Sequence, residues 1–540
     1  MLSLNENSLI VQHPHLICNQ QINFYKSLHL RAVDRLTELE KKNSILEGKI
    51  RDLNKRFYGK KSEKHKSKEG LVSDNPSPKN RGQQLGSKGH GRTLRPKTLK
   101  VKEEVLEIPE KERTCSTCHL VYPEFGKPEV SEILEIEVQA YKRSISRPKF
   151  KTCDCNGHSK ILTAPPANRL FPKTIYGVSI WHKFITNKHI LSIPTERTCK
   201  ELKPFLGKIA PGTIDGGYKI ISPFFDPLLK AFHDKQMQED YFHCDETYWK
   251  VFEKLLDKAN YQWYMWGVFS ESVRCYHFSP NRSTKNLHKI FLGLNETLKE
   301  ITIVSDRYSA YKCYAKEELR LLVILAFCWA HVRRDFLNEA NSYPHLATWM
   351  HLWVESIRDI YAINKNRLKC WKPSIPLSEQ SEEFQKHHKA LGEKLLAMKK
   401  EMESELGKNN LHTAQRKVLK SLQDHWVGLT YFYERPYIHL DNNLAEREVR
   451  ICVLGRKNFY GSGSVWSAEF SGKIYSFVKT YELWGLDASK GIFYYLLACS
   501  ENGGQAPRNI NDFVPWEMSE ERKSFFREPM NAMTFENIGA

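Results

Sequence analysis

From His29 the apolar residues recur at alternating three- and four-residue steps. His29, Leu36, Asn43, Ile50 and Phe57 fall at heptad a positions, and Ala32, Leu39, Leu46 and Leu53 at d, so 24–60 is expected to be a helix with a coiled-coil seam. Asn43 at an a position weakens such a seam but selects a parallel pair in one register, which points to self-association as a homodimer or higher oligomer. The period is then lost: 61–100 is rich in Lys, Arg, Gly, Ser and Pro and reads as a flexible basic linker. Over 164–238 apolar spacings of three and four return, broken at Pro194 and Pro211, which predicts several short helices. Next come Tyr241–Phe252, Tyr261–Ser270 and Val273–Phe278, aromatic and β-branched runs between short polar turns, as in an antiparallel meander. Further strands are expected at Ile301–Ser305 and Leu321–Phe327, and the pattern over His345–Tyr437 is helical. Strands in a meander followed by strands alternating with helices predict an α/β domain with a mixed sheet.

Composition narrows the class. The chain has 540 residues, 82 Lys plus Arg against 63 Asp plus Glu, and a net charge of +19. With 41% hydrophobic and 12% aromatic residues, that charge sits on a folded multidomain protein and suits a polyanionic partner. The longest apolar run, Leu321–Ala330, lies between Arg320 and the basic His331, Arg333 and Arg334, and is far short of the ~20 residues that span a bilayer. The first residues show no basic region leading into an apolar stretch, so a cytoplasmic address is expected, with nucleic acid preferred to a membrane surface.

Thirteen cysteines, an odd number, argue against a disulfide framework. Cys115-Ser-Thr-Cys118 and Cys153-Asp-Cys155 place paired thiolates at short spacing, as tetrahedral zinc requires, so 101–163 is expected to be a small structural zinc ribbon. The second pair is a tighter C-x-C, and His119 or His158 could replace one ligand.

Two acids sit at strand positions among apolar side chains: Asp245 in Tyr241-Phe-His-Cys-Asp-Glu-Thr-Tyr-Trp249, and Asp306 closing Ile301-Thr-Ile-Val-Ser305. A carboxylate beside a sheet core must be paired, hydrogen-bonded or bound to a cation, and hard oxygen ligands suit magnesium or manganese. Asp306 could equally cap the next helix, and Glu246 rivals Asp245 from the opposite strand face. A third acid, Glu446, lies in Asp441-Asn-Asn-Leu-Ala-Glu-Arg-Glu-Val-Arg450, where a capping box from Asn443 to Glu446 is the structural alternative. Together with the cations Arg447, Arg450, Arg456 and Lys457, the three acids favour a site where two metal ions clamp a phosphodiester. Arg333 and Arg334 are further candidates for phosphate contact.

The order of these motifs resembles that of the insertion sequence 66 family of bacterial transposases. The resemblance runs through Phe57-Tyr-Gly-Lys-Lys-Ser-Glu-Lys64, the linker ending Gly89-His-Gly-Arg92, the four cysteines, Asp245-Glu-Thr-Tyr-Trp249, Ser305-Asp-Arg-Tyr-Ser-Ala-Tyr311 and Cys328-Trp-Ala-His-Val-Arg-Arg334. It continues through Asp441-Asn-Asn-Leu-Ala-Glu-Arg447 and Gly455-Arg-Lys-Asn458 to Val514-Pro-Trp516. The resemblance implies a ribonuclease H-like catalytic domain over 239–485, with a helical insertion at about 340–437. It makes Asp245, Asp306 and Glu446 the catalytic acids, leaves Glu246 and Glu448 as bystanders, and puts Cys328 and His331 near the site. It further implies that 164–238 helps bind terminal inverted repeats, with 486–540 as a C-terminal segment. DNA cleavage and strand transfer are the expected reaction, in a nucleoid-associated protein encoded beside small accessory proteins. A catalytically silent DNA-binding descendant and a nuclease without strand transfer are the alternatives.

Overall fold

The computed structural model describes residues 14–58, 117, 121, 140–151, 161–163, 166–254 and 260–528. Cys115, Cys118, Cys153 and Cys155, and the linker 61–100, lie outside the described residues. The described chain begins with helix α1 (Pro14–Tyr58) and a short antiparallel pair, β1 (Lys149–Lys151) and β2 (Ile161–Thr163). Four helices follow: α2 (Val178–His189), α3 (Thr195–Leu206), α4 (Pro211–Ile221) and α5 (Asp226–Gln236). Pro194 stands immediately before α3 and Pro211 opens α4, positions where a missing N–H is harmless and the fixed φ suits the first turn.

The sheet comes next, from β3 (Tyr241–Lys250), β4 (Gln262–Phe269) and β5 (Arg274–Ser279). After α6 (Thr284–Ile290) the chain forms β6 (Glu300–Ser305), α7 (Ser309–Glu317) and β7 (Leu322–Phe327). The strand order is β5-β4-β3-β6-β7; β4 and β5 are antiparallel, whereas β3, β6 and β7 run parallel. The fold is therefore mixed α/β with a mixed sheet, as the pattern of apolar runs predicts. No described helix is long and apolar enough to cross a membrane.

Helices fill the rest: α8 (Trp329–Ser342), α9 (Ala347–Cys370), α10 (Glu382–Leu406), α11 (Thr413–Asp424), α12 (Trp426–Glu434), α13 (Asn443–Phe459), α14 (Val465–Leu483), α15 (Ala488–Glu501) and α16 (Glu520–Arg527). The chain divides into two compact units. The first comprises Met1–Glu69, Glu239–Asp245 and Arg282–Arg447, the second Gly70–Gln238, Glu246–Asn281 and Glu448–Ala540.

In the first unit, β6 buries Ile301, Ile303 and Val304, as a strand covered on both faces must. Its core joins Val304, Ile324 and Phe327 of the sheet to Trp329 and Phe336 of α8, Trp353 of α9, Leu391 of α10, Leu419 of α11 and Phe432 of α12. Buried Arg367 of α9 donates to the carbonyls of Phe432 and Tyr433, satisfying the end of α12 from inside. Gly428 lets α12 lie close on β7: a Cβ there would come 2.6 Å from the Leu325 carbonyl oxygen. α1 meets the same unit at Gly48, where a Cβ would lie 2.1 Å from the Tyr343 ring, and at Arg51, which donates to the Ser342 carbonyl.

The second unit has its own core, built from Trp181 and Ile185 of α2, Ile214 and Tyr218 of α4, Phe232 of α5, Phe477 and Tyr481 of α14, and Ile492 and Tyr495 of α15. Residues from 164–238, from 239–485 and from 486–540 thus share one core.

Candidate active site

Asp245 and Asp306 owe their positions to the parallel ladder. β3 pairs with β6 as Tyr241 to Thr302, Phe242 to Ile303 and His243 to Val304. The ladder ends two residues before both Asp245 and Asp306, so the two acids stand at the same step beyond their last paired residues. Asp306 sits just past the carboxyl end of β6, where open α/β sheets present their ligand sites, and Asp245 lies within β3, two residues beyond its ladder with β6. Each is half-buried. Asp306 Oδ1 accepts the Tyr308 N–H at 2.9 Å, so one carboxylate oxygen shapes the turn into α7.

Glu446 belongs to the first turn of α13. The Glu446 N–H donates to the Asn442 carbonyl, which makes Asn442 the cap position, and the Asn443 N–H goes to Asp441 Oδ1. The cap is thus Asn442, not Asn443, and with Ala445 three residues on no capping box forms, so the Glu446 side chain is not spent on one. Instead Glu446 Oε1 lies 3.5 Å from His331 Nε2 and 3.6 Å from an Arg334 guanidinium nitrogen. That oxygen is buried without a hydrogen-bond partner, and so is His331 Nδ1. Burial, and then the Arg334 charge, hold the His331 imidazole below its usual range, while Glu446 and Asp306 draw it upward. Cys328 is fully buried, its thiol pushed up to about 11 chiefly by burial, and its Sγ accepts the Asn442 N–H at 3.2 Å.

One buried residue links the segments carrying two of the acids. Asn442, 1% exposed, accepts from His243 Nδ1 at 2.9 Å and donates through Nδ2 to the Cys244 carbonyl at 2.7 Å. His243 Nε2 in turn contacts His439 Nδ1 at 2.9 Å. Neither Asn442 nor His243 is among the candidates read from the sequence. For His243 the signal was a polar residue within an otherwise buried strand run; Asn442, an ordinary helix-cap residue, carried none.

The candidate cations differ in their surroundings. Arg333, Arg447, Arg450 and Lys457 are exposed and Arg334 half-buried. The Arg456 guanidinium is engaged: it donates to Thr247 Oγ1 at 2.7 Å and to the Tyr248 carbonyl, and stacks 3.5 Å over the Tyr248 ring. Glu448 lies between cations, 3.2 Å from Lys479 and 3.9 Å from Arg274, and its carbonyl accepts from the Tyr276 hydroxyl.

Among the described residues no three His, Cys, Asp or Glu side chains stand close enough together to hold a metal ion. The donor chemistry nonetheless suits a hard cation: three carboxylates in one unit, one of them with a buried oxygen that lacks a hydrogen-bond partner.

The uncharacterized protein y4jD of Sinorhizobium fredii is 25% identical over 465 residues, covering 81% of this chain and 83% of its own. Its neighbour y4hP from the same organism is 21% identical, over 78% of this chain and 76% of its own length. The profile of the family described as "Transposase IS66 family" matches residues 173–470, a span that takes in Asp245, Asp306 and Glu446 together with the residues around them. Because that match covers more than half of the 540 residues, the chain belongs to the IS66 family of transposases.

Proposed function

We propose that this protein cuts DNA at the ends of its insertion sequence and joins those ends to target DNA, using Asp245, Asp306 and Glu446. The observation that carries the reading is the parallel β3/β6 ladder, which ends two residues before both Asp245 and Asp306. An antiparallel meander followed by two parallel strands, in the order β5-β4-β3-β6-β7, supports a ribonuclease H-like domain. The three carboxylates would hold magnesium or manganese, which would supply Lewis acidity and charge neutralisation at the scissile phosphate.

In the first step water attacks phosphorus and the bond to the 3′-oxygen breaks, leaving a 3′-hydroxyl on the element. In the second, that hydroxyl attacks a target phosphodiester, forming a new ester and releasing a target 3′-hydroxyl. Arg333, Arg334, Arg447, Arg450 and Lys457 would neutralise backbone phosphates. Arg456 would instead hold β3 in place, given its bonds to Thr247 and Tyr248. Cys115, Cys118, Cys153 and Cys155 would hold structural zinc, and 164–238 would contribute to end recognition.

Pairing of two copies through α1 is part of the same reading. Ile45, Gly48 and Arg51, which meet the body of the first unit, occupy the outer c, f and b positions of the heptad. Leu36, Leu39, Leu46, Ile50 and Leu53 of the seam are 48–59% exposed, and Asn43 lies among them. A parallel partner helix would cover this seam and bring two DNA ends together.

The decisive test is magnesium-dependent cleavage and joining of DNA carrying the element's ends, with the neighbouring genes' products supplied. Glu446→Gln keeps the side chain's size and removes its charge. Loss of both products by at least about a hundredfold, with DNA binding intact, is expected from a ligand substitution. Equal cutting by both proteins would remove Glu446 from the site. Nicks without joined products would leave a nuclease.

A further inference from the structure

We infer that Asn442 is a positioning residue that sets Asp245 and Glu446 at their mutual spacing, an inference that rests on the Asp-Asp-Glu reading above. The residue is almost wholly buried, and its backbone and side-chain polar groups are all engaged. Nδ2 donates to the Cys244 carbonyl, the peptide group that leads directly into Asp245. The Asn442 carbonyl accepts the N–H of Glu446 itself. Backbone at two acids far apart in sequence is thereby attached to one amide-bearing residue.

The surrounding bonds fix which way that amide points. Asn442 Oδ1 can only accept, so His243 Nδ1 carries the proton, while its Nε2 contacts His439 Nδ1. A flipped amide would turn its NH2 toward the His243 N–H and its oxygen toward the Cys244 carbonyl, losing two hydrogen bonds at once. His243 and Asp245, two residues apart on β3, share one strand face. The relay His439–His243–Asn442 therefore locks the rotamer of the residue that positions the acids.

The test measures metal binding as well as turnover. Manganese affinity is read by electron paramagnetic resonance on the full-length protein bound to end DNA, and DNA affinity is read separately in chelator. Asn442→Ala is expected to weaken manganese binding 10- to 100-fold and to slow joining at saturating DNA by a similar factor, with DNA affinity unchanged within about twofold. His243→Gln, which can still donate to Oδ1, should stay within about threefold of the unaltered protein. His243→Leu, which cannot, should lose at least fivefold in both readouts. If Asn442→Ala does not give a folded protein, the His243 pair decides. Manganese affinity and joining in Asn442→Ala or His243→Leu equal to the unaltered protein overturn the inference. Glu446→Gln is the control for the underlying reading: if it binds manganese undiminished, the acid assignment fails, whereas loss there with no effect of Asn442→Ala leaves the acids standing and removes only the positioning role.

Discussion

Two glutamates on the same helix have unlike surroundings. Glu448 lies between Lys479 and Arg274, at 3.2 and 3.9 Å, whereas Glu446 faces His331 and Arg334 at 3.5 and 3.6 Å. Glu448→Gln should therefore lower thermal stability while leaving metal affinity within about threefold, since it breaks a partly buried ion pair and no proposed ligand. A scan of melting temperature beside the manganese titration checks this. Buried histidines make a second prediction in the other unit. His182 donates from Nε2 to the Ser489 carbonyl, and burial above all lowers it to about 4; His189 is lowered to about 3 and His277 to about 4, again first by burial. Their folded values lie below the unfolded 6.5, so the unfolded chain takes up more protons between those limits. The stability they contribute is full above pH 6.5 and is lost as pH falls toward the folded values, about 2 kcal/mol from each by pH 5. Urea unfolding followed by tryptophan fluorescence at pH 7.5 and 5 should show the loss, and His182→Asn should reduce it by about one histidine's share. The three acids stood out as candidates in the sequence because Asp245 lies within an apolar strand run, Asp306 closes one and Glu446 lies at a helix start. His243 and Asn442 were not, because partners nearly two hundred residues apart become neighbours only in the folded ladder.

Elements were legible where a single period ran long enough. The expected strands at Tyr241–Phe252 and Ile301–Ser305 agree with β3 and β6 to within a residue or two, because alternation and full burial both leave a mark in composition. The start of α13 was misplaced by one residue, since Asp441, Asn442 and Asn443 are all good cap residues and only the bond from Glu446 N–H to the Asn442 carbonyl distinguishes them. How closely an element approaches its neighbour was not legible either. Gly428 would pass as an unfavourable residue in a helix, yet it is what lets α12 rest on β7. Gly428→Ala should therefore destabilise the first unit by about 1–3 kcal/mol despite the better helix propensity of alanine, because the added Cβ meets the Leu325 backbone carbonyl. A urea titration of the variant beside the unaltered protein measures it, and a gain in stability would contradict the close packing.

For the whole molecule, a net charge of +19 predicts DNA affinity that falls steeply with salt. The exposed cations Arg447, Arg450 and Lys457 should each carry about one unit of the slope of log affinity against log salt, so replacing all three with Ala should lower it by about 3. Arg456→Ala should change the slope by less than half a unit, since that guanidinium is bound to Thr247 and Tyr248. Binding isotherms between about 50 and 200 mM salt separate the two outcomes. The sequence by itself determined the mixed α/β class, the polyanionic partner expected from charge, and the family, because periodicity, charge and the order of short motifs are all properties of the linear chain. Tertiary structure alone decided that residues from 164–238 and 486–540 share a core with the middle of the chain, that Arg456 is engaged while Lys457 is exposed, and that Asn442 joins the segments bearing Asp245 and Glu446. The physical reason is that hydrogen-bond satisfaction and close packing depend on which distant segments meet, and no local pattern records that encounter.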